Sequence, residues 1–299
     1  MFSSMRWLIT GASGFTAQHF ISHLKARGED VFATSTTLDT AIKCDFRDEA
    51  AIKALLREIR PERVLHLTGV YGTDPNLAPL FKDVHVTQTE NLIKGCAAMP
   101  TPPAIALASS AHVYGNQGGR ISESAPLVRI SEYAASKIEM EALAKKWSKE
   151  APIFVARAFN YTGTGQSEKF LIPKIVQHFK TKATKLTLGD ISIERDFSDV
   201  RDIIQYYMAM FEADYTGQIV NFCSGNLISV RDIVLTCQEI TGHEIKVEQS
   251  PALMRPNEIQ ILYGCTDKLL ELTGRKSTMT IKQTLSAMLD APMHEPKNS

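Results

Sequence analysis

The chain has 299 residues, which is enough for one large domain, or for a large and a small one, with an ample core. Its 33 lysines and arginines balance 33 aspartates and glutamates, so we expect neither nucleic acid nor a membrane surface as a partner. No apolar run approaches the ~18 residues of a membrane span, and the N-terminus lacks the apolar core of a signal peptide. These features predict a soluble, cytoplasmic protein.

The first 160 residues alternate between short apolar runs and helical periodicity. Strands are predicted at 6–10, 31–35, 63–69, 104–110 and 152–160. Helices are predicted at 17–28, 48–59, around 85–99 and at 133–147. Such alternation predicts an α/β fold with a parallel sheet that is covered by helices on both faces.

After residue 160 the alternation breaks, beginning with a glycine-rich loop at 161–170. The later elements are a helix opening within 196–211, a strand at 218–225, a helix at 229–242 and a strand at 244–249. We predict a larger nucleotide-binding domain over 1–160 and a smaller lobe over 161–299. Elements from about 196–225 are expected to return to the first domain.

The segment TGASGFTA (10–17) places Gly11, Gly14 and Ala17 between the first strand and its helix. This spacing permits a tight turn, a close backbone approach to a pyrophosphate, and close packing of helix on strand. The pyrophosphate would face the free N–H groups of the helix N-terminus. A ligand-free turn is the alternative, but the position at the first strand–helix junction favours a dinucleotide. The expected contacts are Gly11, Ser13, Gly14, Phe15 and Thr16.

The end of the second strand normally distinguishes NAD from NADP, because an acid holds the ribose 2′-hydroxyl and a base accepts the 2′-phosphate. Here the segment TSTT (34–37) carries neither, which favours NADP(H) weakly and leaves NAD(H) open. Ser35 is the expected contact. Asp45 and Phe46 suit the adenine edge, although Asp45 is equally interpretable as a helix N-cap.

Tyr133 and Lys137 are four residues apart and should share one helix face. A nearby ammonium lowers the pKa of a phenol, which makes the tyrosine a useful acid or base near neutral pH. The spacing alone is common on amphipathic helices. Five cysteines, scattered without a CxxC pair, indicate reduced thiols, and we expect no metal site.

TGASGFTA, HLTG (66–69), SSAHVYG (109–115) and YAASK (133–137), in this order, resemble the extended short-chain dehydrogenase/reductase family of sugar-nucleotide enzymes. The resemblance implies a Rossmann-like sheet with a C-terminal substrate lobe. It implies that Ser110 binds the substrate carbonyl beside Tyr133 and that Lys137 holds the nicotinamide ribose. Further cofactor contacts would be Leu67, Thr68 and Gly69, and Ser109 would face the substrate.

Two acids that related 4,6-dehydratases carry after this serine are missing. Ala111 and His112 occupy the positions, and neither alanine nor a lone histidine readily performs both proton transfers of water elimination. Simple carbonyl reduction is therefore expected. His112 is interpreted mainly as a polar residue at the pocket rim, with a catalytic role as the alternative.

The second half resembles the GDP-4-keto-6-deoxy-D-mannose reductases of that family in the segments 156–175, 188–204 and 253–274. The resemblance implies that the arginine of RPxE clamps the diphosphate and the glutamate binds the nucleotide ribose. The implied substrate contacts are Arg255, Glu258, Arg195 and Asn160. A surface ion pair is the alternative for Arg195 and Glu258. Four positions depart from the family pattern, namely His85, Tyr161, Thr162 and Thr164, and the last three are expected to line the substrate side of the site.

We therefore predict an NAD(P)H-dependent reductase that forms GDP-D-rhamnose or GDP-6-deoxy-D-talose for a surface polysaccharide. A 4-epimerase with tightly held NAD, a reductase of a dTDP- or CDP-linked keto sugar, and a non-catalytic NADP-sensing protein are the alternatives. The resemblance also implies a homodimer through the helices that include Tyr133 and Lys137.

Overall fold

The computed structural model describes residues 4–72, 74–213, 215–254 and 258–292. The strands are β1 (Arg6–Thr10), β2 (Asp30–Thr34), β3 (Arg63–His66), β4 (Ala104–Ser110), β5 (Gly119–Ile121), β6 (Ile153–Ala158), β7 (Asn160–Thr162), β8 (Lys185–Leu188), β9 (Glu194–Asp199), β10 (Ile219–Phe222), β11 (Leu227–Ser229), β12 (Lys246–Gln249) and β13 (Ile261–Gly264). The helices are α1 (Phe15–Ala26), α2 (Glu49–Ile59), α3 (Ala78–Lys82), α4 (Gln88–Ala97), α5 (Glu132–Lys146), α6 (Leu171–Lys180), α7 (Val200–Glu212), α8 (Val230–Thr241), α9 (Asp267–Thr273) and α10 (Ile281–Asp290).

Six parallel strands form the central sheet in the order β10-β6-β4-β3-β1-β2. On one side of β1 lies β2, and on the other side β3, β4, β6 and β10 follow one another. The side of the sheet to which successive strands are added therefore changes beside β1. Ligands of such sheets bind beyond the carboxyl ends of the strands near this point. The predicted Rossmann-like α/β fold is confirmed.

Both faces of the central sheet are buried, which explains why β1 reads as a continuous apolar run. Trp7 and Ile9 point into a core formed with α1 and α7, whereas Leu8 points into a second core formed with α2, α4 and α5. The two cores hold the strand ends, and with them the loops that carry the candidate site, in a fixed arrangement.

A second sheet, ordered β11-β9-β13-β5, lies beyond the central one, with β7 pairing to β9. A third core joins α6, α8 and α10 beneath it. β5 comes from the first half of the chain, whereas β10 comes from the second half and pairs with β6 in the central sheet. The division at residue 160 stays a prediction.

Three local predictions need correction. Residues 196–199 belong to β9, and the helix begins at Val200, because the Asp199 side chain caps it by accepting from the Arg201 N–H. The predicted loop at 161–170 begins inside β7. The helix expected around 85–99 is preceded by α3, and a π-helical turn over Asp83–Thr87 joins α3 to α4.

All five cysteines are buried and free of disulfides. Among the described residues, no cluster of three or more His, Cys, Asp or Glu side chains could hold a metal ion. No helix in the described part of the chain is both long and apolar enough to cross a membrane.

Candidate active site

A cleft of about 1190 Å³ opens at the carboxyl ends of the central strands, where the second sheet faces them. Most of the predicted site residues that line it come from the ends of β4, β6 and β9 and from the start of α1 and α5. They are Phe15, Thr16, Gly69, Ser109, Ser110, Tyr133, Asn160, Arg195 and Glu258. The fold therefore brings residues from both halves of the chain to one cavity.

Ser110, Tyr133 and Lys137 meet at the floor of the cleft. Ser110 is the last residue of β4, and Tyr133 lies in the first turn of α5, where its hydroxyl is close enough to that of Ser110 for the serine to lower its pKa. One turn further along α5, Lys137 is buried and donates through Nζ to the Ala108 carbonyl at 2.9 Å. Its Nζ lies 6.0 Å from the centroid of the Tyr133 ring.

The expected lowering of the tyrosine pKa by Lys137 is wrong for this structure. Burial raises the pKa of Tyr133 to about 12, and the nearby Ser110 hydroxyl opposes this rise. Burial likewise lowers the pKa of Lys137 to about 8, although Glu141 opposes the shift. Because its ammonium is engaged with Ala108, Lys137 does little to stabilise a phenolate. Tyr133 is therefore protonated at neutral pH and is suited to donate a proton.

His85 is fully buried between the loop after β3 and the start of α5. Its Nε2 accepts from the Val70 N–H at 3.1 Å, which leaves the proton on Nδ1 to be donated to Ser136 Oγ at 2.9 Å. Ser136 in turn donates to the Tyr133 carbonyl at 2.8 Å. Burial, together with a smaller contribution from the nearby Lys137 ammonium, lowers the pKa of His85 to about 2. This departure from the family pattern therefore acts as a neutral clamp on the turn that carries Tyr133.

The glycine turn fits a pyrophosphate. Gly11 has φ +71°, and a Cβ there would lie 2.9 Å from the Thr68 N, so only glycine is accommodated. Gly14 caps α1 without any side-chain hydrogen bond, which leaves the first N–H groups of the helix for an anion. Thr16 bonds Tyr161 Oη through its hydroxyl at 2.7 Å. Ser13, in the same turn, is exposed.

The other predicted cofactor contacts lie around the ends of β2 and β3. Ser35 Oγ accepts from the N–H groups of Thr37 and Leu38 and so shapes the loop after β2. The Asp45 carboxylate is paired with Arg47 at 2.8 Å, and the Phe46 ring is buried in the core, so its side chain does not reach a ligand.

Leu67, Thr68 and Gly69 follow β3. Thr68 N–H donates to Thr10 Oγ1 at 3.2 Å, and Leu67 packs partly buried against the first core. Gly69 lines the cleft, where an added Cβ would lie 3.8 Å from Lys137 Nζ. This loop therefore connects the glycine turn to the floor of the cleft.

On the substrate side, Arg195 Nη2 donates to Glu258 Oε1 at 2.6 Å, with side chains only 11% and 22% exposed. This half-buried pair faces the cleft, so the alternative of a surface ion pair does not describe it. Arg255 lies outside the described residues. Ser109 donates its hydroxyl to Glu141 at 2.5 Å, so that hydrogen is directed into the protein.

Among the departures, Tyr161 and Thr162 line the cleft as expected. Thr164 is not among the lining residues, and its hydroxyl donates to the Ala287 carbonyl at 3.3 Å. Its expected place on the substrate side is therefore a correction. Thr162 donates to Gln166 at 2.7 Å, which links two cleft-lining side chains that sequence reasoning did not connect.

A buried ion pair behind the site was also missed. Arg157 on β6 and Glu141 on α5 lie 2.7 Å apart, with side chains 4% and 3% exposed. Arg157 also donates to Tyr114 Oη and the Glu123 carbonyl. The only sequence signal was a charge inside an apolar strand. The network fixes the helix that carries Tyr133 against the central sheet.

The profile of the NAD dependent epimerase/dehydratase family matches residues 7–223, and the chain belongs to this family. It is therefore an NAD(P)-dependent oxidoreductase. The chain is 29% identical to the "GDP-6-deoxy-D-mannose reductase" of Pseudomonas aeruginosa, with 96% of each chain covered. It is 28% identical to the "GDP-6-deoxy-D-talose 4-dehydrogenase" of Aggregatibacter actinomycetemcomitans, over 92% of this chain and 94% of the other.

Solved structures agree with the fold. A Burkholderia cenocepacia J2315 protein, described only provisionally as an epimerase, is 34% identical with a TM-score of 0.90, over 96% of this chain and 97% of that one. RMD from Pseudomonas aeruginosa, complexed with NADPH, is 28% identical with a TM-score of 0.85, over 96% and 98%. The predicted family is thus confirmed.

Proposed function

We propose that the protein reduces the C4 ketone of GDP-4-keto-6-deoxy-D-mannose in the cytoplasm, forming GDP-D-rhamnose or its C4 epimer GDP-6-deoxy-D-talose. The observation that carries the proposal is the pairing of Ser110 with Tyr133 at the floor of the cleft. The names of the two relatives support a GDP-linked deoxyhexose.

The reduced nicotinamide, when bound, supplies the hydride for the carbonyl carbon. Ser110 holds the carbonyl oxygen through its hydroxyl, which fixes the ketone next to Tyr133. Tyr133 then donates its proton to that oxygen as negative charge develops, which is general acid catalysis. Lys137 lies behind both groups and would hold the nicotinamide ribose. The Arg195–Glu258 pair would share its guanidinium with the diphosphate, since arginine presents donors suited to phosphate oxygens.

We further propose that NADPH is preferred. Residues 34–37 at the end of β2 carry no acid to hold a ribose 2′-hydroxyl, and a structural relative is complexed with NADPH. We also propose that the protein forms a homodimer through α4 and α5. Its product would serve surface polysaccharide synthesis.

The test is absorbance of reduced nicotinamide with enzymatically generated GDP-4-keto-6-deoxymannose. We expect oxidation that requires the keto sugar, and a Tyr133→Phe rate about 10² to 10⁴ times lower. Tyr71→Phe, which alters an exposed ring 5.2 Å from Tyr133 between centroids, is the matched control and should stay active. NMR of the product would give the C4 configuration. No oxidation with NADPH or NADH would reject this substrate, and dTDP- and CDP-linked keto sugars would be tested next.

A 4-epimerase is the second candidate, because the Burkholderia cenocepacia structure with a TM-score of 0.90 is described provisionally as an epimerase. An epimerase regenerates its cofactor within each turnover and retains it through gel filtration. A reductase must release the oxidised cofactor. Purified protein that carries a stoichiometric nicotinamide and interconverts nucleotide sugars without added cofactor would favour the epimerase.

A further inference from the structure

Tyr133 must regain a proton after each turnover of the proposed reduction, and the structure restricts where that proton comes from. With a pKa of about 12, the phenolate is a strong base inside the protein. Lys137 is buried and donates to a backbone carbonyl. His85 is fully buried, with one ring nitrogen bonded to Val70 and the other to Ser136. Neither group faces solvent.

His112 differs from both because its side chain is exposed. Its Nδ1 lies 2.9 Å from Ser110 Oγ, and the Ser110 hydroxyl lies close enough to Tyr133 to lower the pKa of the phenol. The His112 and Tyr133 rings meet edge to face with centroids 5.6 Å apart. Polar groups thus follow one another from the half-buried phenol through the serine hydroxyl to an exposed imidazole.

A second cavity of about 270 Å³ adjoins the cleft at the same two residues. It shares Ser110, His112, Asn160 and the Arg195–Glu258 pair with the main cleft and also reaches Asn116. Tyr71 is the other titratable side chain that faces His112 on the cleft side, 5.9 Å away between ring centroids. His112 therefore borders both the main cleft and the cavity that adjoins it.

We propose that His112 is a proton relay residue that reprotonates Tyr133 through the Ser110 hydroxyl, a role that rests on the proposed reductase function. Tyr133 loses its O–H proton to the product oxygen and becomes a phenolate. The Ser110 hydroxyl proton moves to Tyr133 while the Nδ1 proton of protonated His112 moves to Ser110 Oγ. His112 is left neutral and is protonated again by water or a buffer acid. Imidazole suits this task because it gains and loses protons near neutral pH.

His112→Asn tests the relay, because an amide keeps a hydrogen-bonding group near the Nδ1 position but cannot carry a proton. The first turnover should be as fast as in the wild type, since Tyr133 begins protonated. Steady-state kcat should fall about tenfold with KM changed less than twofold, and added imidazole buffer should restore most of it. His243→Asn, whose ring bonds the Ala183 carbonyl away from the cleft, should match the wild type in every measurement.

The outcomes separate two failures. An active wild type together with an unimpaired His112→Asn variant overturns the relay alone. The relay is also overturned if the first turnover of His112→Asn is slowed as much as its steady-state rate, or if added imidazole does not raise that rate. The role of His112 would then be to position other groups. A wild type that oxidises neither cofactor with any keto sugar overturns the proposed function and the relay with it.

Discussion

Lys137 keeps an ammonium inside the protein, where desolvation disfavours charge. Its pKa falls from 10.5 to about 8, so between these values the unfolded chain binds more protons and stability rises with pH. At pH 7 Lys137 is protonated in both the folded and the unfolded protein, so the full free-energy cost of burying its charge remains. The shift corresponds to about 3 kcal/mol, of which the Ala108 hydrogen bond offsets about 1 kcal/mol.

We therefore expect Lys137→Met to inactivate the enzyme yet stabilise the cofactor-free protein by about 2 kcal/mol at pH 7. The difference from wild type should shrink as pH rises from 8 to 10. Urea unfolding at several pH values measures it, with Lys145→Met, exposed on the same helix, as control. A variant less stable than the wild type at pH 7 would contradict this account.

Lys43 supplies a cation that the local sequence at the end of β2 lacks. Residues 34–37 contain no base, but Ile42 returns to β2 and brings Lys43 Nζ within 3.1 Å of the Leu38 carbonyl. Its side chain is 51% exposed and faces Asp39 at 3.6 Å. We therefore expect this ammonium to bind a ribose 2′-phosphate.

Lys43→Gln should raise the KM for NADPH about fivefold to tenfold, equivalent to about 1 to 1.4 kcal/mol, and leave the KM for NADH unchanged. Steady-state kinetics with both cofactors measures the ratio. Lys53→Gln, exposed on α2, is the control. Equal changes in the KM for NADPH and for NADH would show that Lys43 does not bind the 2′-phosphate.

At this scale the sequence predicted the residues that short motifs carry, such as Ser110, Tyr133 and Lys137. It did not predict the protonation of Tyr133, because burial depends on side chains distant in the chain. Nor could it find the His85 clamp, whose partners are separated from it by 15 and 51 residues.

At the scale of elements, the Arg157–Glu141 pair joins β6 to the helix that carries Tyr133 and Lys137. Removing one partner of a buried pair leaves an uncompensated charge. Arg157→Met should therefore destabilise the protein by about 3 to 5 kcal/mol. Arg129→Met is the matched control, since it breaks an exposed pair with Glu139 at 2.9 Å and should cost less than about 1 kcal/mol.

Chemical denaturation gives both values. The double variant Arg157→Met, Glu141→Leu should recover part of the loss, because no buried charge remains. A single Arg157→Met variant no less stable than the Arg129→Met control would show that the pair does not hold α5 in place.

Long elements with clear periodicity were predicted well, as β1, α2 and β4 illustrate. The second sheet was not predicted, because β5 and β13 have only three and four residues and come from distant parts of the chain. Their pairing depends on how the lobe folds back, and no local pattern encodes it. β9 was interpreted as helix because its residues run directly into the strongly periodic α7.

At the scale of the whole molecule, we expect a homodimer through the outer faces of α4 and α5. Ala142 is exposed on α5, so Ala142→Arg should introduce charge into the interface and yield monomers. Sedimentation velocity measures this, and Leu235→Arg, at a residue 53% exposed on α8, should leave the dimer intact. A monomeric wild type at concentrations of about 100 µM would make this prediction wrong.

Because every cysteine is buried, the native thiols are shielded from reagents in solution. Burial raises the pKa of Cys96 and Cys237 to about 12, so their thiols stay protonated and react slowly with maleimides. New cysteines at exposed positions such as Lys53 and Leu235 would then be the sites that accept fluorescent dyes. Energy transfer between the dyes would report whether the two sides of the cleft move closer together around a ligand. The native cysteines would not have to be replaced first.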